Sequence, residues 1–230
     1  MRTVGLLGGM SWESSLEYER VINTEVRRRL GGSHSGDLLV RSYDFAAVER
    51  LQADGDWEAA GRLLAADARR LAQAGAAAVV LCTNTMHLVA DVVAAAVDVP
   101  LLHIADATAA AAHDAGVRRV ALLGTRVTME RDFLVSRLAR SGLEVVVPDE
   151  PDRTTVHEVI YRELVRGVVD DGSRAAYLEV VERLVAAGAD GVVAGCTEIE
   201  LLVGPEDVAV PYFPTARLHA LAAVEFMLSG

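Results

Sequence analysis

An internal repeat constrains this chain more than any other feature of its sequence. The segment Leu184–Glu198, LVAAGADGVVAGCTE, aligns without a gap on Leu71–Thr85, LAQAGAAAVVLCTNT, which lies 113 positions earlier. Six of the first ten positions are identical, and both copies run through Gly-Ala and Val-Val to small polar residues. The 230-residue chain therefore fits two related halves of about 100 residues, each large enough to bury its own core.

The register of the repeat separates the two cysteines. It places Cys196 opposite Thr83, and Cys82 opposite Gly195. In a parallel α/β unit, the residue just past a strand's carboxyl end points into the ligand crevice, whereas the last strand residues point into the core. We expect Thr83 and Cys196 to face each other across a shared crevice, and Cys82 to be a packed thiol. The competing interpretations are a merely buried Cys196, and a one-residue shift that brings Cys82 into the crevice.

Apolar runs and helix-like segments alternate along the whole chain. Strands are predicted at 2–7, 37–43, 79–81, 99–102, 120–125, 144–147, 191–194 and 208–211, and helices at 12–30, 44–52, 57–74, 86–96, 105–115, 130–140, 156–169, 173–187 and 215–228. Ser11 is the expected N-cap of the first helix. The alternation predicts an α/β fold with two pseudo-symmetric, doubly wound parallel sheets. The expected domains are residues 1–98 with 213–230, and residues 99–212.

Composition excludes several classes of function. All 22 basic residues are arginine, so the chain lacks the lysine that a pyridoxal phosphate enzyme or a P-loop requires. A net charge of −11 argues against nucleic acid as a partner. Two distant cysteines, no signal-peptide layout and no apolar run near 20 residues predict a cytoplasmic protein that does not contact membranes. The six histidines have no metal-ligand spacing, so no metal is expected.

Thr83 and Cys196 carry the chemical prediction. Two proton-handling groups on opposite sides of a crevice can remove a proton from one face of a carbon and return one to the other. The helix N-termini that follow them offer N–H groups to a substrate carboxylate, and a helix N-terminus can lower the pKa of a thiol. His87 lies one turn after Thr83 and is expected on a helix surface. Candidates for binding a carboxylate through a guanidinium are Arg126, Arg162 and Arg166.

Four motifs together resemble the aspartate/glutamate racemase family. They are GGMSWESS from Gly8, Asp44-Phe45 with Gln52 and Trp57 beyond it, CTNTMH from Cys82, and GCTE from Gly195. The resemblance covers nearly the whole chain. It implies a racemase that uses no cofactor, with two α/β domains related by pseudo-twofold symmetry, an active site between them, and a homodimer.

The resemblance also assigns roles to residues. Most members use one cysteine from each half; the second matches Cys196, but the first position here is Thr83. A similar subgroup with this Thr/Cys pair is associated with L-aspartate and L-glutamate. We therefore expect Cys196 to abstract the α-proton of the L-substrate and Thr83, directly or through water, to serve the opposite face. The implied substrate-binding residues are Met10, Ser11, Gln52, Asn84, Thr85, Thr125 and Thr197.

Two alternatives remain open at the level of sequence. Arylmalonate decarboxylases, maleate isomerases and hydantoin racemases look similar overall, and decarboxylation needs only one protonating cysteine. Alternatively, a two-domain α/β protein with one catalytic thiol missing could bind an acidic ligand without turning it over. Product analysis on malonates and amino acids separates these possibilities.

Overall fold

The computed structural model describes residues 1–229 and divides the chain into two compact units. The first unit contains Met1–Ile104 together with the carboxyl-terminal residues from His219, and the second contains Ala105–Leu218. The sequence-based boundaries after residues 98 and 212 lie a few residues earlier. The difference arises because the strand Leu101–Leu102, after the first boundary, and the strand Tyr212–Pro214, across the second, each pair with the sheet before them.

The first unit is built on a four-stranded sheet in which every neighbouring pair is parallel. Its strands are β1 (Val4–Gly8), β2 (Leu38–Ser42), β3 (Ala78–Leu81) and β4 (Leu101–Leu102), in the order β2-β1-β3-β4. The helices are α1 (Trp12–Leu30), α2 (Phe45–Ala53), α3 (Trp57–Gln73) and α4 (Ala90–Ala94). Helix α5 (Ile104–Asp114) begins at Ile104, where the first segment of this unit ends. Strands β1 and β3 are buried throughout, as expected for central parallel strands covered on both faces.

The second unit repeats this plan. Its strands are β5 (Arg119–Gly124), β6 (Glu144–Val146), β7 (Gly191–Gly195) and β8 (Tyr212–Pro214), in the order β6-β5-β7-β8, again all parallel. The helices are α6 (Arg126–Glu130), α7 (Asp132–Arg140), α8 (Asp152–Arg162) and α9 (Asp171–Ala186); α10 (Thr215–Leu228) ends in the first unit. The predicted α/β class with two equivalent parallel sheets is confirmed. The repeated segments supply β3 and β7, which hold the same position in their sheets.

Proline explains where two predicted strands differ from the structure. The strand predicted at 208–211 is wrong, because residues 208–211 form no strand and β8 begins only at Tyr212. The strand predicted at 99–102 likewise begins only at Leu101. Pro211 and Pro100 accept hydrogen bonds from Val192 and Val79 through their carbonyls but have no N–H to donate. Each ladder therefore starts one residue after its proline.

Three predicted helices are shorter or divided. The segment predicted as a helix at 86–96 is a 3₁₀ turn, Thr85–Val89, followed by the five residues of α4. The helix predicted at 130–140 is α7, which begins at Asp132, and a separate short helix, α6, precedes it. Helix α8 ends near Glu163 instead of continuing to 169, and Gly167 takes a left-handed conformation after a second 3₁₀ turn, Leu164–Arg166. None of the helices in residues 1–229 is both long and apolar enough to span a membrane.

Candidate active site

A glycine turn carries the chain from β1 into α1. Gly9 has a φ of +79°, and a Cβ there would lie 2.3 Å from the backbone nitrogen of Tyr43, so only glycine fits. The Gly9 N–H donates to Oγ of Ser15 at 2.6 Å. Oγ of Ser11 accepts a hydrogen bond from the N–H of Ser14 at 3.3 Å, which confirms Ser11 as the N-cap of α1.

The end of β3 shows the register that the repeat predicts. Cys82 is fully buried and its N–H donates to the Leu7 carbonyl at 3.0 Å, which extends the ladder to β1. Burial, and to a lesser degree the charge of Glu19, raises the pKa of the Cys82 thiol. Thr83, the next residue, is half-buried. Cys82 is therefore a packed thiol, as expected.

Side chains from the other loops of the first unit approach the segment after Thr83. Nε2 of Gln52, on α2, donates to the sulfur of Met86 at 3.1 Å. Met10 is buried and belongs to the same hydrophobic cluster as Met86. Asn84 and Thr85 are also buried, within the short segment between β3 and Met86. The candidate substrate-binding residues of this half therefore gather at the carboxyl edge of one sheet, where parallel α/β sheets bind ligands.

His87 differs from its sequence-based expectation. It is only 3% exposed instead of lying on a helix surface. Nδ1 lies 2.7 Å from the Thr83 carbonyl oxygen, and Nε2 accepts a hydrogen bond from the Ile104 N–H at 3.2 Å. The surface interpretation failed because a 3₁₀ turn replaces the predicted helix here. His87 is thus attached to the backbone of a candidate catalytic residue.

In the second unit, the candidate residues Thr125 and Cys196 each follow the last residue of a strand, and those two last residues pair with each other. Gly124 of β5 is the partner of Gly195 of β7, so Thr125 and Cys196 come directly after neighbouring strand ends. A Cβ at Gly195 would lie 2.8 Å from the Leu123 carbonyl oxygen, which explains why the residue equivalent to Cys82 is a glycine here.

Thr125 caps α6 in the same way that Ser11 caps α1. Its Oγ1 accepts from the Thr128 N–H at 3.3 Å, and the two hydroxyls lie 3.0 Å apart. Cys196 and Thr197 are half-buried, like Thr83 in the first unit. Each sheet therefore presents one proton-handling side chain and one hydroxyl cap at its carboxyl edge. That Thr83 and Cys196 face one another stays a prediction.

Glu198 is the residue of this half that the sequence analysis did not single out. Sγ of Cys196 donates a hydrogen bond to Oε2 of Glu198 at 2.9 Å. The motif GCTE contained this glutamate, but its two-residue spacing indicates contact only once the backbone turns into the 3₁₀ segment Thr197–Leu201. The thiol therefore has a proton acceptor within hydrogen-bond distance.

The expected lowering of the Cys196 pKa is wrong. Burial and then the negative charge of Glu198 raise the pKa of the thiol well above its usual range. Hydrogen bonds from the N–H groups of Thr197 and Glu198 act in the opposite direction but are outweighed. A turn of five residues with two acidic side chains lacks the field of a full helix N-terminus.

The three candidate arginines have different surroundings. Arg126 forms ion pairs with Glu130 and Glu150, and Arg162 pairs with Glu158. Arg166 is exposed, forms no ion pair within residues 1–229, and lies in the turn Leu164–Arg166 that packs against the turn after Cys196. Over the same described residues, no group of three or more His, Cys, Asp or Glu side chains is arranged to hold a metal ion.

Comparison with known protein families identifies one family that matches nearly the whole chain. The sequence model of the family described as Asp/Glu/Hydantoin racemase matches residues 7–223. This stretch includes both repeats and all of the candidate residues named above.

Solved structures agree over the full length of the chain. A candidate Asp/Glu racemase from Yersinia pestis is 49% identical, with a TM-score of 0.95 over 99% of this chain and 100% of that one. An aspartate racemase homologue from Pyrococcus horikoshii is 33% identical, with a TM-score of 0.88 over 99% of both chains. The aspartate racemase of Picrophilus torridus, at 18% identity and a TM-score of 0.75 over 98% of this chain and 94% of that one, shares the fold.

Proposed function

Because this chain belongs to the Asp/Glu/Hydantoin racemase family, we propose that it is a cofactor-independent racemase acting on L-aspartate or L-glutamate. In this proposal Cys196 removes the α-proton of the L-enantiomer and Thr83 serves the opposite face. The observation that carries it is the hydrogen bond of 2.9 Å from the Cys196 thiol to the Glu198 carboxylate. A thiol with a proton acceptor in direct contact can become the thiolate that the reaction requires.

The Cys196–Glu198 pair supplies the base. The thiol proton passes to Oε2 of Glu198, the S–H bond breaks, and the thiolate takes the α-proton of the substrate. The pair carries one negative charge before and after this first transfer, so no additional charge is buried. Cys196 and Glu198 therefore hold one proton between them, across a hydrogen bond of 2.9 Å.

The opposite face is served by a much weaker group. A threonine hydroxyl can pass its proton to the carbanion while its oxygen takes one from a water molecule, but it is a poor base for removing a proton from the D-enantiomer. The N–H groups at the start of the turn after Thr83 are suited to a substrate carboxylate, which helps to stabilise the charge that develops. We therefore expect the α-proton of the L-enantiomer to exchange with solvent faster than that of the D-enantiomer.

Arg166 is our candidate for the side-chain carboxylate of the substrate. Of the three arginines that the sequence suggests, it alone has no ion pair within the described residues. It also lies in the same unit as Cys196, on a turn that packs against Thr197–Leu201. A guanidinium binds a carboxylate through two parallel hydrogen bonds, which selects an acidic side chain over an aliphatic one.

Two assays test the function. A panel of L- and D-amino acids, incubated without added cofactor and analysed by chiral chromatography, should show racemisation of aspartate or glutamate. Incubation in D₂O should exchange the α-proton of the L-enantiomer faster than that of the D-enantiomer. Equal α-exchange of both enantiomers would contradict the division of roles between Cys196 and Thr83.

The variants Cys196→Ala and Cys82→Ala form the matched pair for this test. Loss of the first thiol should abolish racemisation, whereas the buried second thiol should be dispensable for catalysis. Decarboxylation of arylmalonates without racemisation of any amino acid would indicate the related enzyme class. Saturable binding of acidic amino acids without turnover would indicate a binding protein.

A further inference from the structure

A buried cluster of three histidines in the first unit has no role in the chemistry described so far. His87, His103 and His219 are 3%, 6% and 0% exposed, and Tyr18, which contacts His219, is 1% exposed. The His87 ring centre lies 4.5 Å from that of His103 and 5.5 Å from that of His219. Polar rings buried to this extent are retained only where hydrogen bonds satisfy them.

The partners of His87 fix its protonation. Its Nε2 lies 3.2 Å from the backbone nitrogen of Ile104, and a backbone N–H can only donate. Nε2 must therefore hold a lone pair, which leaves the proton on Nδ1. The Thr83 carbonyl, 2.7 Å away, can only accept, and Nδ1–H is the donor that it needs. His87 is thus neutral and locked in one tautomer.

His219 supports the same segment from another direction. Its Nε2 donates to the Leu102 carbonyl at 2.8 Å, and its Nδ1 is hydrogen-bonded to the Tyr18 hydroxyl at 2.9 Å. Leu102 ends β4 and Ile104 begins α5, so the two histidines bind backbone groups on either side of His103. Ile104, which donates to His87, therefore lies in a segment that His219 also holds in place. N–H groups in the first turn of a helix need acceptors from outside the helix, and His87 supplies one.

We infer that His87 is a positioning residue for Thr83, acting as a neutral Nδ1–H donor that fixes the Thr83 carbonyl at the end of β3. The inference rests on the proposed function, in which Thr83 protonates the carbanion on the face opposite Cys196. The carbonyl belongs to the same residue as the reacting hydroxyl, so a shift of one moves the other. Loss of the hydrogen bond should impair inversion while leaving proton removal by Cys196 intact.

This division gives a readout that a purely structural role would not change. In D₂O, L-substrate that is deprotonated and then reprotonated on the same face acquires deuterium without inversion. The ratio of α-exchange to racemisation, measured on the L-enantiomer, therefore reports on delivery of the second proton. A general loss of stability lowers both rates together and leaves the ratio unchanged.

Two isosteric substitutions separate the two contacts of His87. In His87→Asn, the amide nitrogen can take the place of Nδ1 and keep the donor to Thr83, while the contact with Ile104 is lost. In His87→Gln, the amide oxygen can take the place of Nε2 and keep the acceptor for Ile104, while the donor to Thr83 is lost. The two variants therefore differ in which contact survives.

We expect His87→Gln to raise the ratio of exchange to racemisation by about tenfold or more, because small displacements of a catalytic group have large kinetic effects. His87→Asn should keep the ratio close to that of the wild type. An unchanged ratio in a folded His87→Gln variant overturns the inference. So does an equal rise of the ratio in both variants.

A measurement on the wild-type protein tests the inference even if the variants do not fold. The ¹⁵N chemical shifts of the His87 ring should show a neutral imidazole protonated at Nδ1. A ring protonated at Nε2, or an imidazolium at neutral pH, overturns the inference. A wild-type protein that exchanges no α-proton contradicts the proposed function instead, and the tautomer then decides the inference alone.

Discussion

The Cys196 thiol donates a hydrogen bond of 2.9 Å to Oε2 of Glu198, and both residues follow β7 in the motif GCTE. The carboxylate has two opposing effects on the sulfur. Its charge contributes to the raised pKa of the thiol, yet it also offers the proton a place to go. Glutamine in place of Glu198 removes the charge without changing the shape of the side chain. Catalysis and thiol reactivity, measured separately in that variant, then report on the two effects.

Glu198→Gln should lower kcat by about 10²-fold or more, with little change in KM, because proton transfer by a positioned group contributes on this scale. The same substitution removes a negative charge, so the thiol should alkylate at lower pH than in the wild type. Racemisation kinetics and the pH dependence of iodoacetamide labelling, both in a Cys82→Ala background, measure the two effects. Glu200→Gln removes the same charge from the same turn and is the control; an equal loss of kcat there would refute a specific role for Glu198.

Gly9 and Gly31 form a matched pair for the turn that follows β1. Both have positive φ, at +79° and +75°, but a Cβ would meet Tyr43 backbone atoms at Gly9 and nothing within 4 Å at Gly31. Gly31→Ala should lower the free energy of unfolding by about 1–3 kcal/mol, from the positive φ alone. Gly9→Ala should lower it by about 4 kcal/mol or more, because the backbone clash adds to the strain. Urea denaturation measures both, and similar values would show that the turn adapts.

Tyr177 on α9 carries a hydroxyl that the fold does not use. The side chain is fully buried, and its oxygen has no hydrogen-bond partner among the described residues. Tyr177→Phe should therefore leave the free energy of unfolding unchanged or raise it by about 1 kcal/mol. Tyr212→Phe is the control, because the Tyr212 hydroxyl donates to the Val203 carbonyl at 2.9 Å. This substitution should lower the free energy of unfolding by about 1 kcal/mol. Destabilisation by Tyr177→Phe, measured in the same thermal or urea experiment, would contradict this prediction, because it would show that the Tyr177 hydroxyl makes a stabilising hydrogen bond.

Asp67 on α3 predicts how the stability of the first unit depends on pH. Burial alone would raise the pKa of this carboxyl, but the nearby Tyr43 hydroxyl and hydrogen bonds from Arg70 and Arg41 outweigh it and hold the pKa below its ordinary value of 3.8. The ionised form is therefore stabilising above about pH 4, the unfolded value, and this contribution is lost as pH falls through the folded value.

The substitution Asp67→Asn tests this sign. At pH 7 it should lower the free energy of unfolding by about 2 kcal/mol, the scale of hydrogen bonds to a charged group. The difference from the wild type should shrink as pH approaches 2, which urea unfolding at several pH values can follow. A difference that stays constant, or grows, on acidification would contradict the lowered pKa.

Much of the fold could be predicted from the sequence because the internal repeat indicates two halves with the same strand arrangement. The two copies of the αβ segment predicted two equivalent halves, and the sheets indeed have the same strand order around β3 and β7. The same register separated Cys82 from Cys196, and burial divides them in that way. These features are local or periodic, so a linear pattern contains them. The first helix cap, at Ser11, is local in the same sense.

Tertiary structure decided the features that depend on distant groups. The partners of His87 are the Thr83 carbonyl and Ile104, and no helical or strand period predicts a hydrogen bond across 17 residues. The pKa of Cys196 is raised instead of lowered, because burial and the Glu198 carboxylate outweigh the backbone N–H groups. Sequence by itself determined which residues lie at the strand ends and hence where chemistry can occur. The packed fold determined which proton acceptor the thiol contacts and which ring holds Thr83, because both depend on desolvation and on distances that only folding sets.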